Sequence, residues 1–155
     1  MRRILLLTGC LFLIFLPAHA GHSPPKVLLR IHVQTTGEGS SPMEVSRIQV
    51  PPDGDTILIR SIPELSEGQL IGAEQDNDGL HLQFNHVGMV NLNAATAQNQ
   101  GRILVVLIDG NVIYAPVIDM QISNGQLDIP HTIPPVILQL LQEVAKENLK
   151  RDNRS

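Results

Sequence analysis

One cysteine stands among the 155 residues, at Cys10, and tryptophan is absent. Aromatic side chains make up 3% of the chain and charged ones 17%. Each shortage argues against a class of function. A lone cysteine cannot form an internal disulfide, so stability has to come from a packed core, which a chain of this length can supply. Few aromatics leave no platform on which bases could stack, and sugar binding of that kind is equally disfavoured. Basic residues are scarce too: 11 Lys and Arg face 15 Asp and Glu. That balance speaks against nucleic acid and anionic membrane surfaces, both of which reward positive charge. Beyond residue 20 no apolar run approaches the roughly 20 residues that cross a bilayer, so no integral membrane segment is expected in the mature chain. There is no G-x-S-x-G elbow and no glycine-rich phosphate loop.

The N-terminus carries an address. Arg2-Arg3 is a positive region, Ile4 to Leu16 is apolar, Pro17 breaks the run, and Ala18-His19-Ala20 fits the small-x-small cleavage rule. This pattern predicts a signal peptide over residues 1–20, cut after Ala20, and a periplasmic or secreted product. A rival is a lipobox at Leu7-Thr8-Gly9-Cys10 with Cys10 lipidated. It would leave LFLIFLP at the head of the mature chain, so the Ala20 site is preferred. Cleavage there leaves 135 residues with no cysteine and a net charge of −6.

Residues 21–44 read as an N-terminal strand and linker. Gly21 to Lys26 is an extended tail with Pro24-Pro25. Val27 to Val33 alternates as a half-buried strand, and Thr35 to Pro42 is a loop. Residues 45–150 form the expected domain and 151–155 a polar tail. Val45–Val50, Thr56–Ile62 and Leu80–Phe84 are further strands. Ser66 and Gln69 form a capping box that predicts a short helix over Glu67–Gln75, with Leu65 and Leu70 as a staple. Val87–Gln98 reads as a second helix. A third follows Thr132 as cap, with Pro134 and Pro135 in its first turn and a stripe through Ile133, Ile137, Leu141 and Val144.

The most consistent stretch is Gly101 to Ile129. Ile103–Ile108 is a continuous apolar run, as in a strand buried on both faces. Asp109-Gly110 suits a type I′ turn, in which both central residues need positive φ. Val112–Ile118 returns as a strand. Asn124-Gly125 is a second hairpin signal before Leu127 and Ile129, so a three-stranded antiparallel meander is expected. Pro116 has no N–H to donate, which suits an edge strand or a bulge. The fold class is α+β: a largely antiparallel sheet with helices packed on one side.

These residues also resemble a known family. Gly88, Leu92, Thr96, Asn99, Gly101, Asp109-Gly110, Ala115-Pro116-Val117-Ile118, Ile122, Gly125 and Ile129 are similar to the head part of the first periplasmic domain of SecD, the membrane subunit that assists protein export. Two departures are a single Gly125 where the family usually has paired glycines, and Pro130 where a small residue usually follows. SecD also has transmembrane helices and a base subdomain, which this chain does not match. The resemblance implies the fold, a periplasmic compartment and contact with exported, unfolded polypeptide or with a Sec or envelope membrane complex. It does not carry over the motor function.

Other chemistry is thinly signalled. Glu74, Asp76, Asp78 and Gly79 look like the start of a calcium loop, but Asn85 stands where a bidentate Glu belongs. His22 would be the second residue after cleavage and could join a terminal amine on Cu(II), yet no second His is near. His32, His81, His86 and His131 are scattered, and Asp109 is accounted for by its turn. No metal, cofactor or catalytic residue is assigned. The expectation is a non-enzymatic binding module that uses a strand edge at Val112, Tyr114, Pro116 and Ile118. The alternatives are a small periplasmic enzyme or ligand-binding protein reusing the fold, and a purely structural adaptor.

Overall fold

The structure is a computed structural model that describes residues 27–38, 41, 43–52 and 54–154. The expected signal peptide, Cys10, His22 and the Gly21–Lys26 stretch lie outside the described residues. Among the described residues nine strands and two helices follow in order: β1 (Leu29–Thr35), β2 (Val45–Val50), β3 (Asp55–Arg60), β4 (Leu65–Ser66), β5 (Leu70–Gln75), β6 (Leu80–Phe84), α1 (His86–Gln98), β7 (Leu104–Ile108), β8 (Asn111–Tyr114), β9 (Gln126–Ile129) and α2 (Pro135–Asp152). A single 3₁₀ turn, Glu67–Gln69, precedes β5.

Two antiparallel sheets share a core. The first runs β2-β3-β1-β7-β8, with β4 also on β1, and the second runs β5-β6-β9. The apolar run of β7 explains the arrangement. Its five residues are all buried, and they divide between two clusters. Leu104, Val106 and Ile108 face the front with Leu29, Ile31 and Val33 of β1, Leu92 of α1 and Leu141 of α2. Val105 and Leu107 face the back, where Val50, Ile57 and Ile59 of the β2–β3 hairpin cover them. Helical residues enter only the front cluster, so both helices lie on one side. Each fully buried Leu or Ile is worth about 1.5–3 kcal/mol of transfer free energy, which lets a chain without disulfides hold this core.

Three sequence expectations need correction. The Glu67–Gln75 helix is one 3₁₀ turn followed by a strand. The capping box at Ser66 and Gln69 is real, but Gly68 and Gly72 are poor helix formers, and Leu70, Ala73 and the β6 residues Leu82 and Phe84 bury one face by pairing as a hairpin. The meander holds only for its first hairpin, where Asp109 and Gly110 have φ of 49° and 81°. β9 pairs with β6 instead of β8. After Tyr114 the chain crosses the end of α1, with the Ile122 N–H donating to Thr96 Oγ1 at 2.9 Å and Gln121 bonded to Asn93. Third, α2 is capped at Pro134 without a side-chain hydrogen bond, rather than by Thr132.

The two helices do different work. α1, capped by Asn85 through its bond from the Gly88 N–H, packs into the core. α2 runs along the outer edge of β5 and substitutes for a strand. Gln142 Nε2 donates to the Ala73 carbonyl at 3.1 Å, and Asn148 Nδ2 donates to the Leu70 carbonyl at 2.7 Å. That edge of the second sheet is closed.

Candidate functional site

The opposite ends of both sheets meet at one place. β8 is the terminal strand of the first sheet and β9 the terminal strand of the second. Between them lies a cleft of about 430 Å³, with Thr96, Leu104 and Leu127 among its lining residues. Tyr114 and the return loop through Met120 and Ile122 also line it. A neighbouring hollow of about 390 Å³ lies between Val112–Pro116 and His131, whose ring meets Tyr114 edge-on at 6.0 Å.

The edge has a specific geometry. Val106 pairs with Tyr114 and Leu107 with Val112, so Ile113 is the extra residue of a β-bulge. The bulge sends Val112 to the back cluster while Ile113 and Tyr114 pack on the front one. Pairing resumes beyond it: the Leu104 N–H donates to the Pro116 carbonyl at 2.9 Å, and the Ile118 N–H donates to the Arg102 carbonyl at 2.8 Å. In an antiparallel ladder a residue that turns its C=O to the partner turns its N–H position there as well. The missing donor of Pro116 therefore faces inward, towards Leu104. The outward N–H and C=O belong to Val117, bridged to Ile103 and 59% exposed.

Of the sequence-predicted site residues, Tyr114, Pro116 and Ile118 line the cleft, with Ile118 buried in its wall, and Val112 lies in the adjoining hollow. Val117 and Met120, both strongly exposed apolar side chains, escaped the sequence reading. Which residue of the strand turns outward depends on the bulge, and a bulge leaves no composition signal.

A second group borders the cleft. His81 lies between two carboxylates: Nδ1 is 2.7 Å from Asp128 Oδ1, and Nε2 is 3.2 Å from Asp76 Oδ1. A neutral imidazole has one N–H, so both contacts become donations only in the imidazolium. Asp128 first, and Asp76 second, raise the His81 pKa above its ordinary value. The Asp78 N–H and then His81 hold the Asp76 carboxyl below the usual range. Asp76 also accepts from the Asp78 and Gly79 N–H groups at 2.8 and 3.2 Å. These bonds close the β5–β6 hairpin, so the calcium-like spacing is a turn between two strands. His32, by contrast, is buried, which lowers its pKa, and its Nδ1 donates to the Arg60 carbonyl at 2.8 Å. Among the described residues no group of three or more His, Cys, Asp or Glu is arranged to hold a metal ion.

The His81 arrangement makes a direct prediction. An NMR titration of its ring is expected to give a pKa above about 6.5, the unfolded value, and Asp128→Asn is expected to bring it down. The stability it contributes is complete below the unfolded pKa and fades as pH rises through the higher folded one. A ring that titrates at or below the ordinary value would show that neither carboxylate holds it.

The comparisons agree with this architecture. The family model described as SecDF, P1 head subdomain, matches residues 43–132. This chain belongs to the SecDF P1 head subdomain family. A solved structure of the membrane component SecDF that enhances protein export is 19% identical, with a TM-score of 0.55 over 78% of this chain and 62% of that one. A crystal structure of SecDF in a super-membrane-facing form is 21% identical, with a TM-score of 0.53 over 77% of this chain and 18% of that one. The chain thus spans less than two thirds of either relative, and at these identities the likeness concerns the fold. No curated protein matches. No helix among the described residues is long and apolar enough to cross a membrane.

Proposed function

We propose that the protein is a non-enzymatic binding module of the periplasm, which receives an extended, unfolded polypeptide along the strand edge formed by β8 and its continuation through Val117. The observation that carries this reading is the outward-facing main chain of Val117 at the end of a sheet, beside exposed Val117 and Met120 side chains. An extended peptide can add to such an edge as a further strand, with main-chain bonds for affinity and flanking hollows for side chains. Membership of the SecDF P1 head family supports a link to protein export, and a Sec or envelope membrane complex is the natural larger partner. The signal-peptide pattern of residues 1–20 supports the compartment.

The alternative of a small enzyme or ligand-binding protein calls for perturbed carboxylates inside a deep pocket. The perturbed pair, Asp76 and His81, instead stands on the solvent side of the second sheet.

The test is an NMR titration of the processed chain with an unfolded, extended peptide. Shifts are expected to concentrate between Val112 and Ile122. Val117→Pro, which removes the outward N–H, is expected to weaken binding about tenfold or more, the loss of a hydrogen bond and of strand register. A spectrum that stays silent at high peptide concentration would sink polypeptide capture.

A further inference from the structure

The cleft carries charge of one sign. Asp119 and Asp128 line it, and among the described residues no Lys or Arg does. Asp128 sits on β9, which forms the wall of the cleft opposite the β8 continuation. A strand seated on the Val117 edge would lie between the two walls. Apolar side chains of such a strand would meet Tyr114, Met120 and Ile122, and the acidic positions remain for a polar one.

Resting on the strand-edge reading above, we infer that the cleft between β8 and β9 selects extended polypeptide segments that carry a basic side chain. Asp128 is the main specificity-determining residue, and His81 positions it and sets its strength. Electrostatic complementarity of this kind chooses among partners more than it adds raw affinity. The peptide main chain supplies binding that every sequence shares, and the acidic wall discriminates among them.

His81 gives the selection a pH signature. Three carboxylates face it: Glu74 directly opposite on β5, Asp76 in the β5–β6 turn, and Asp128 directly opposite on β9. While His81 is an imidazolium it offsets part of their negative charge. When it loses its proton, that compensation is gone from Asp128 and from the cleft it lines. The preference for a basic segment therefore strengthens as pH rises through the His81 titration, whereas a neutral segment has no charge to respond with. Its raised pKa puts this transition above the ordinary histidine range.

The experiment compares three short, end-capped Val/Thr peptides that differ at one central position, which is Lys, Gln or Glu. Each is titrated into the processed chain by NMR at low salt, below and above the His81 pKa measured in the same spectra. The Lys peptide is expected to bind about tenfold tighter than the Glu peptide, since each exposed pair contributes about 0.2–1 kcal/mol and the Glu peptide reverses its sign. The gap should widen at the higher pH and shrink with added salt. Asp128→Asn should narrow it by about threefold. His81→Gln should abolish its pH dependence while leaving a Lys preference. Equal affinity for all three peptides, with shifts still confined to Val112–Ile122, would overturn the selection and leave the strand-edge reading standing. A uniform gap that ignores pH and Asp128→Asn would overturn the assignment of Asp128 and His81. If no peptide binds, both the selection and the reading beneath it fail.

Discussion

Gly79→Ala is expected to destabilise the protein by about 3 kcal/mol or more, an overpacking and strain effect at a position where nothing can yield. Gly79 has φ of 143°, a region that side chains rarely adopt. A Cβ there would clash with the Ile129 carbonyl oxygen and lie 3.0 Å from its carbon and 3.1 Å from Pro130 Cα. All three are main-chain atoms, so no rotamer change relieves the contact. Ile129 is paired with Leu80 in the β6–β9 ladder, and Gly79 also accepts from the Asp76 N–H at 3.0 Å. The new methyl would push apart the hairpin turn and the last pair of the second sheet together. The comparison variant is Gly101→Ala. Its φ of 81° is also left-handed, but nothing lies within 4 Å of the added atom, so only the conformational cost of about 1–2 kcal/mol applies. Urea unfolding of both variants decides the matter. Equal midpoints would mean that β9 does not approach Gly79 as closely as described.

The second large effect is expected at Asn148. Its side chain is buried on α2, with Nδ2 donating to the Glu67 and Leu70 carbonyls, both at 2.7 Å, and Oδ1 accepting from Arg151. Asn148→Ala leaves the Leu70 carbonyl without its donor, takes one of two donors from the Glu67 carbonyl, which keeps the Leu70 N–H, and opens a small void. An unpaired buried acceptor costs about 1–3 kcal/mol, and with the lost packing a loss of about 2–4 kcal/mol is expected. Asn148→Leu is the informative companion, since it refills the volume without restoring a donor. If packing alone mattered, Leu would recover most of the loss, whereas the hydrogen-bond account keeps Leu close to Ala. Amide hydrogen exchange should report the same lesion locally, as faster exchange along β5.

Much of this fold was legible because local and global signals agreed. The unbroken apolar run of β7 announced two buried faces and has them. Asp109-Gly110 announced a hairpin and makes one. The Leu80–Phe84 alternation announced a half-buried strand. The failures share one cause: the deciding interaction lay far away in sequence. Leu70–Gln75 is a strand only because β6 pairs with it, against a capping signal that was genuine but governs one turn. β9 looked like the third strand of a meander because Asn124-Gly125 preceded it, yet the chain crosses α1 first. The site was legible in part for the same reason. Pro116 marked the edge, but the bulge at Ile113 decided that Val117 turns outward. His81, Asp76 and Asp128 met only when β5, β6 and β9 came together, so neither histidine spacing nor carboxylate spacing could reveal them.

The pairing of β1 with β7 also has a meaning in time. The Leu28 N–H is bonded to Asp109 across 81 residues of chain, and the longest pairing of β1, from Leu29 to Val33, is with β7. Its nearer partners are short: β3 reaches just Gln34 and Thr35, and β4 just Arg30 and Ile31. A chain that emerges N-terminus first must therefore deliver its first strand long before that strand's main partner exists. Until Ile108 has followed, Leu29 and Val33 have no strand to pair with. Contacts of such long range are slow to close, so for part of its own delivery this protein is itself an extended chain with an unpaired edge.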